Sequence, residues 1–263
     1  MIRSVLIVLS LSLSVNIFAA KSKSNAPQSK ILTSSSKGNA VRSILINQFK
    51  RNLKAKEISD LKKQALNYAG KAIPALVYIM KSSEFPDRNR WVATFLVGQI
   101  MGKKSGPFIS KFLSHPNWVL RMASLKTLLA LKLKNYGDLY GKALKDKSFI
   151  VRKQALENIR KFGLEKQAPV VWSMLYDKRN YYNPKDGGKK RTNLIKEAIK
   201  TVGELKFEKA KGPLLSMVQK EKYKDIFPEI DYSLTRITGK NSPDSLKLKK
   251  RFWRKVAISN QTF

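Results

Sequence analysis

The chain has 263 residues, 43% of them hydrophobic, and sets 53 Lys and Arg against 18 Asp and Glu, for a formal charge of +35. That is enough apolar material for one elongated core, and the charge imbalance concerns polyanion attraction rather than fold. With no cysteine and a single histidine, His115, the sequence excludes disulfides, thiolate zinc sites, cysteine nucleophiles and paired-histidine metal sites, and no cofactor is expected.

Residues 1–20 read as a secretory signal. Arg3 and the amino terminus supply positive charge, residues 5–15 form an apolar stretch diluted by serines, and Ala19-Ala20 closes it before Lys21. The stretch is too short and too serine-rich for a good bilayer span, and no later apolar run is long enough for one. The expectation is export, to the periplasm or the medium, with a mature chain starting near Lys21. Residues 21–40, rich in Ser, Lys, Asn and Gly, read as a flexible basic leader. Order is expected to begin near Val41. Val41, Ile44, Leu45 and Phe49 mark one helical face and Ile58, Leu61, Ala65 and Leu66 another, which places N-terminal helices at 41–70.

Beyond Gly70 a fixed step of 31 residues takes over. Arg90, Arg121 and Arg152 form one series and Glu84, His115, Asp146 and Asp177 another. Apolar positions keep the same step: Val97, Leu128 and Ile159, then Ile100, Leu131 and Phe162, then Leu113, Leu144 and Leu175. A fixed period of this size means a stacked repeat. Units open after a glycine with proline near the first helical turn, as in Gly70 with Pro74, Gly106-Pro107, Gly163 with Pro169, and Gly212-Pro213. The spacing predicts a short first helix (74–80, 107–113), a polar turn and a longer second helix (121–131, 151–162). Gly102, Gly163, Gly203 and Gly239 are expected to end second helices at positive φ. Five helix pairs fit between residues 72 and 239. Ala93, Ser124 and Ala155, three residues after each repeat arginine, are predicted to be buried where second helices meet.

The run Asp146-Lys-Ser-Phe-Ile-Val151-Arg152-Lys-Gln-Ala155-Leu156, followed by Ile159, Phe162 and Gly163, resembles the unit of HEAT-like repeats. Residues 117–131 form a weaker copy, and Ser233-Leu-Thr-Arg-Ile-Thr-Gly239-Lys240 is similar to the terminal repeats of bacterial HEAT proteins. The resemblance implies an all-α solenoid of stacked antiparallel helix pairs over 71–240. It also implies that the arginine and acid series pair within and between repeats instead of forming an anion-binding row. Asp146 can accept backbone N–H bonds ahead of its helix. His115 stands in the acid position of its turn.

Two segments stand apart from the period. The fourth unit is interrupted by Lys178-Arg-Asn-Tyr-Tyr-Asn-Pro-Lys-Asp-Gly-Gly-Lys-Lys-Arg191. There Tyr181 and Tyr182 can stack on bases or sugars while Lys178, Arg179, Lys185, Lys189, Lys190 and Arg191 meet phosphates. The bland alternative is a solvated loop with its tyrosines packed on their own repeat. Residues 241–263 form a basic C-terminal segment with Lys249, Lys250, Arg251, Arg254 and Lys255 around Phe252 and Trp253. As a helix it aligns Leu248, Phe252 and Val256, which reads as a cap on the last repeat with its cations in solvent. The alternative is a helix lying on anionic membrane. Trp91, Trp118 and Trp172 read as packing residues. Gly187-Gly188 lacks the strand context of a phosphate loop, and no carboxylate pair stands out as an acid/base couple.

The function expected from these features is a non-enzymatic exported scaffold that binds a protein partner or an anionic polymer: lipopolysaccharide, anionic lipid, wall polymer or nucleic acid. An exported proteome that is basic throughout would give the same charge with no such partner. The alternative is an enzyme acting on DNA, since the fold is similar to alkylpurine glycosylases built from such repeats, although their active-site residues do not map onto this sequence. A phycobilin lyase-like activity, also found among HEAT-like proteins, has no supporting residue.

Overall fold

The computed structural model describes residues 28–182 and 190–259, with only the backbone of residues 28–37. The signal-like residues 1–20, the start of the leader, Lys185 and Lys189 lie outside the described residues. The chain divides into two units, Met1–Lys37 and Gly38–Phe263, and the repeats belong to the second.

Helix α1 (Gln28–Phe49) starts well before Val41, so the later part of the expected leader is helical. No proline occurs between Pro27 and Pro74, and once a buried turn has nucleated a helix, each further residue adds at small cost. Val41, Leu45 and Phe49 are buried, whereas Ile44 is exposed. Helix α2 (Ala55–Tyr68) buries Ile58, Leu61 and Ala65 and leaves Leu66 outside. Both apolar faces are therefore narrower than the sequence pattern suggests.

Five helix pairs follow among the described residues. They are α3 (Ile73–Lys81) with α4 (Asp87–Met101), α5 (Gly106–Ser110) with α6 (Trp118–Ala130), α7 (Gly137–Ala143) with α8 (Phe149–Phe162), α9 (Ala168–Ser173) with α10 (Asn193–Glu204), and α11 (Lys211–Val218) with α12 (Phe227–Thr238). Helix α13 (Leu246–Ser259) packs on α11. Pro74, Pro107 and Pro169 occupy the first turns of their helices, where the missing N–H would have no partner in any case. Helices α5 and α9 are short and continue as 3-10 turns, Lys111–Ser114 and Met174–Tyr176. The second helices stack in sequence, α4 on α6, α6 on α8, α8 on α10 and α10 on α12. This is an all-α solenoid of HEAT-like architecture.

Small residues set those contacts. Ala93, Ser124 and Ala155 are fully buried, as the period predicts. Gly203 serves the same end and does not terminate its helix, contrary to expectation. It lies inside α10, and a Cβ there would sit 2.5 Å from the Cα of Ser233 on α12. Ser233 donates its hydroxyl to the Ile199 carbonyl across the same contact, at 2.7 Å. Gly102, Gly163 and Gly239 do end α4, α8 and α12, with φ of 57°, 59° and 70°. After α10 the positive φ falls on Lys206 instead.

Two apolar clusters share the core. One runs from Val41 to Leu120 and the other from Ile109 to Ala257, and Phe108 packs against both. Among the described residues the one sheet is a hairpin, β1 (Tyr181–Tyr182) antiparallel to β2 (Lys190–Arg191), with Tyr181 opposite Arg191. It marks the base of the insertion in the fourth pair.

Candidate binding site

The repeat arginines are committed to structure. Arg121 on α6 is buried and grips Asp146 of the next pair through two bonds, Nε at 2.6 Å and Nη2 at 2.8 Å. Its Nη1 donates to the carbonyls of His115 and Pro116, both at 2.8 Å. Asp146 Oδ1 also accepts the Ser148 N–H ahead of α8, at 2.7 Å. Burial acts to raise the Asp146 carboxyl, but the bonds from Arg121 and Ser148 outweigh it and hold the group below its ordinary value. Arg152 donates to the carbonyls of Asp146 and Lys147 and to Asn180 Oδ1. Arg90 reaches the Met80 carbonyl and Asp87. A ligand anion would have to displace these bonds.

The insertion is anchored at its base. Asn180 is buried between Arg152 and the Met174 carbonyl, and its own carbonyl accepts the N–H and hydroxyl of Thr192. Asp177 Oδ1 takes the Arg179 N–H at 2.9 Å, the same turn bond that Asp146 makes. The Arg179 guanidinium returns to Asp177 and reaches the Lys145 carbonyl at 3.1 Å. Tyr181 is half-buried, with its hydroxyl on the Leu175 carbonyl at 2.5 Å. Burial raises its phenol above the ordinary value.

Beside this hairpin lies a pocket of about 290 Å³, lined in part by Trp172, Tyr176, Tyr181, Arg191, Lys220 and Tyr223. Arg191 holds Asp225 at 2.9 Å and lies 4.9 Å from the centre of the Tyr223 ring. Trp172 and Tyr176 meet edge to face, and Tyr176 is 71% exposed. The pocket thus offers aromatic faces with cations at its edge, a combination suited to a ring or sugar bearing a negative charge.

Of the residues singled out from the sequence, Tyr181 and Arg191 line the pocket. Tyr182 and Lys190 are exposed on the hairpin, Lys178 is exposed in the 3-10 turn before it, and Arg179 is turned toward Asp177. Sequence reading missed Tyr176, Lys220 and Tyr223 and assigned Trp172 to packing. Trp172 and Tyr176 stand four residues apart, a helical pair that shares a face, and that spacing was the available signal. Trp118, also read as packing, is 42% exposed.

The basic tail is a cap with a different buried face. Trp253, Val256 and Ala257 are buried, Phe252 is half-buried and Leu248 is exposed. The reason is Asp231 on α12, which accepts the Trp253 indole N–H at 2.7 Å, Lys249 at 2.7 Å and the Ser242 hydroxyl at 2.5 Å. Seating the indole at this carboxylate turns α13 one position from the expected stripe. Burial alone would raise the Asp231 carboxyl; Lys249, Ser242 and Trp253 hold it low instead. Lys249 is therefore paired with Asp231 and only partly exposed, where a fully solvated cation was expected. Lys250 lies over the Phe227 ring at 5.7 Å, while Arg251, Arg254 and Lys255 are exposed.

Among the described residues no group of His, Asp and Glu is placed to hold a metal ion, and no helix is long and apolar enough to cross a membrane. No family model matches the sequence, and no curated protein does. The chain is similar in structure to a chain in the complex of CpcE and CpcF of phycocyanin lyase from Nostoc sp. PCC7120. The TM-score is 0.41 and the identity 13%, over 94% of this chain and 99% of that one. The expectation of a chain without enzymatic activity is not retained: the similar chain belongs to a phycocyanin lyase complex, and that likeness gives this chain no activity of its own. Stacked helices are no ground for excluding catalysis.

Proposed function

We propose that the chain is an exported binding scaffold for an anionic polymer of the cell envelope, with the hairpin and its aromatic pocket as the contact. The observation that carries this reading is the pocket itself: Trp172, Tyr176, Tyr181 and Tyr223 stand with Arg191 and Lys220 at the root of a basic insertion. The rest of the chain supports it. Even if every acid were paired, 18 acids would leave 35 of the 53 cations without one. Binding would proceed by neutralising fixed charges with release of counterions, while rings stack on the sugar or base units of the polymer. The signal-like residues 1–20 support export, and a mature amino terminus near Lys21 in an envelope or medium fraction is the expected result.

The test is a salt titration of binding to lipopolysaccharide, anionic vesicles and an oligonucleotide. Lys178, Lys185, Lys189 and Lys190 changed together to Gln leave the Arg179–Asp177 and Arg191–Asp225 pairs intact. If all four meet phosphates, the slope of log affinity against log salt flattens by about 3 to 4. Tyr176→Ala lowers affinity with little change in slope. Wild-type protein that binds none of the three at physiological salt overturns the reading.

A further inference from the structure

We propose that a second pocket, between α2, α4 and α6, is a site for an amphiphilic anion: an apolar ring or short acyl chain that carries one carboxylate, sulfonate or phosphate head. The pocket has a volume of about 420 Å³ and is lined by Ile58, Lys62, Arg88, Trp91, Val92, Phe95 and Lys126. It shares no lining residue with the hairpin pocket. Its size falls within the range of small-molecule sites.

The chemistry of the lining selects the ligand. Ile58, Trp91, Val92 and Phe95 make an apolar floor that a polymer of charged units would not fill. Three cations and no acid surround it. Lys62 Nζ stands 5.9 Å from the centre of the Phe95 ring, and Lys126 Nζ stands 5.4 Å from that of Trp91. Arg88 leans on the Leu53 carbonyl at 3.3 Å. The two lysines therefore hold their charges over the aromatic rings, where they would meet the head of an anion whose apolar part lies on the floor beside them. A neutral chain gains the floor but leaves the cations unanswered. A bare inorganic anion gains the cations but leaves the floor empty.

The position on the stack gives a reason for the pocket. In the series Trp91, Met122 and Lys153, and in the series Phe95, Lys126 and Glu157, aromatics occur only on α4. On α8 the equivalent positions are charged, with Lys153 paired to Glu197 of α10 at 3.5 Å. The same helical face thus carries an exposed ion pair farther along the stack and is apolar and cationic here.

The experiment is a fluorescence titration with 8-anilinonaphthalene-1-sulfonate, followed by displacement with octanoate, octanol and sulfate. Octanoate is expected to displace the dye at concentrations at least about tenfold lower than octanol, and sulfate alone not to displace it. Changing Lys62 and Lys126 together to Gln lowers dye affinity by about tenfold and removes the preference of octanoate over octanol. Lys209→Gln, an exposed lysine that lines neither pocket, leaves both unchanged. Equal displacement by octanol, full displacement by sulfate, or a folded double variant with wild-type affinity overturns the proposal. Should the double variant not fold, the ranking of the three competitors on wild-type protein decides the matter.

Discussion

Two joints of the stack occupy the same register and are built differently. Between the second and third pairs, Arg121 crosses to Asp146 with two bonds. Between the first and second, Arg90 is one period earlier, but the residue facing its register is His115. The imidazole keeps half of the aspartate's work, since Nδ1 accepts the Asn117 N–H at 3.0 Å as Asp146 accepts Ser148. It cannot receive a guanidinium fork. Arg90 therefore folds back onto Asp87 of its own helix, and the crossing bond passes to Asn117, whose amide donates to Asp87 at 2.8 Å. The third joint finds another solution, with Arg152 on Asn180 in place of Asp177. Polar positions in a repeat are thus satisfied as a set, and one substitution reroutes its neighbours.

The two joints should respond most unequally when the acid position of each is emptied. Asp146→Ala leaves Arg121 buried without its carboxylate and is expected to cost about 3–5 kcal/mol. His115→Ala removes one turn bond and the ring's stacking contact with Phe112, and is expected to cost about 0.5–2 kcal/mol. Urea denaturation of both variants checks this, and equal losses would show that the two joints do not differ in the way their geometry indicates. Next in size is packing at the second-helix contact. Ala155→Leu overfills a closed site and is expected to cost about 1–3 kcal/mol. An unchanged midpoint would place Ala155 outside the contact.

One substitution should convert the first joint to the second. His115→Asp is expected to draw Arg90 across and to give a coupling between positions 90 and 115 of roughly 1 kcal/mol in a double-mutant cycle with Arg90→Met. In the wild-type background the same cycle should give a coupling near zero. The outcome that sinks the idea is a coupling that does not rise, which would mean that Asp87 keeps Arg90 regardless of its neighbour.

These joints also show what the sequence discloses. The five pairs and the three small residues at the stacking contact follow from the period, because identical local geometry requires identical residue types at one step; that arginines and acids pair between repeats was implied by the resemblance to HEAT-like repeats, and the structure makes the pair Arg121 with Asp146. What the period does not disclose is how a departure from it is repaired. Nothing in sequence order brings Asp87 to Asn117, or Asn180 to Arg152. Gly203 looks like a helix end in sequence and is a close contact in space, because glycine serves both uses. The hairpin pocket was legible only in part, through Tyr181 and Arg191. Tyr223 and Lys220 arrive from the fifth pair, beyond the reach of any local pattern. The basic C-terminal helix buries Trp253, Val256 and Ala257 and not the stripe of Leu248, Phe252 and Val256, since the pattern of apolar residues could not weigh an indole seeking a buried carboxylate.

The smallest effect distinguishes the joints by pH. His115 is held below the ordinary histidine value, first by burial and then by the charges of Arg90 and Arg121; the charge of Asp87 acts in the opposite direction without reversing it, and the Asn117 N–H donated to Nδ1 is a bond that only the neutral ring can accept. In the unfolded chain the ring titrates near the ordinary value of about 6.5. As pH falls below that value, the unfolded state takes up a proton before the folded state does, so stability declines until the folded value is reached. The contribution is complete above about pH 6.5 and lost below it, in a window that lies above the range of the carboxylates. The Asp146 joint has no such dependence there, because a carboxyl held low loses its contribution only as pH falls below the ordinary aspartate value of about 3.9. Denaturation midpoints measured from pH 5 to 7.5 are expected to fall with acidity in the wild type and to flatten in His115→Asn. A wild-type profile that is already flat across this range would show that the ring is as easily protonated in the stack as outside it, and that burial beside Arg90 leaves it undisturbed.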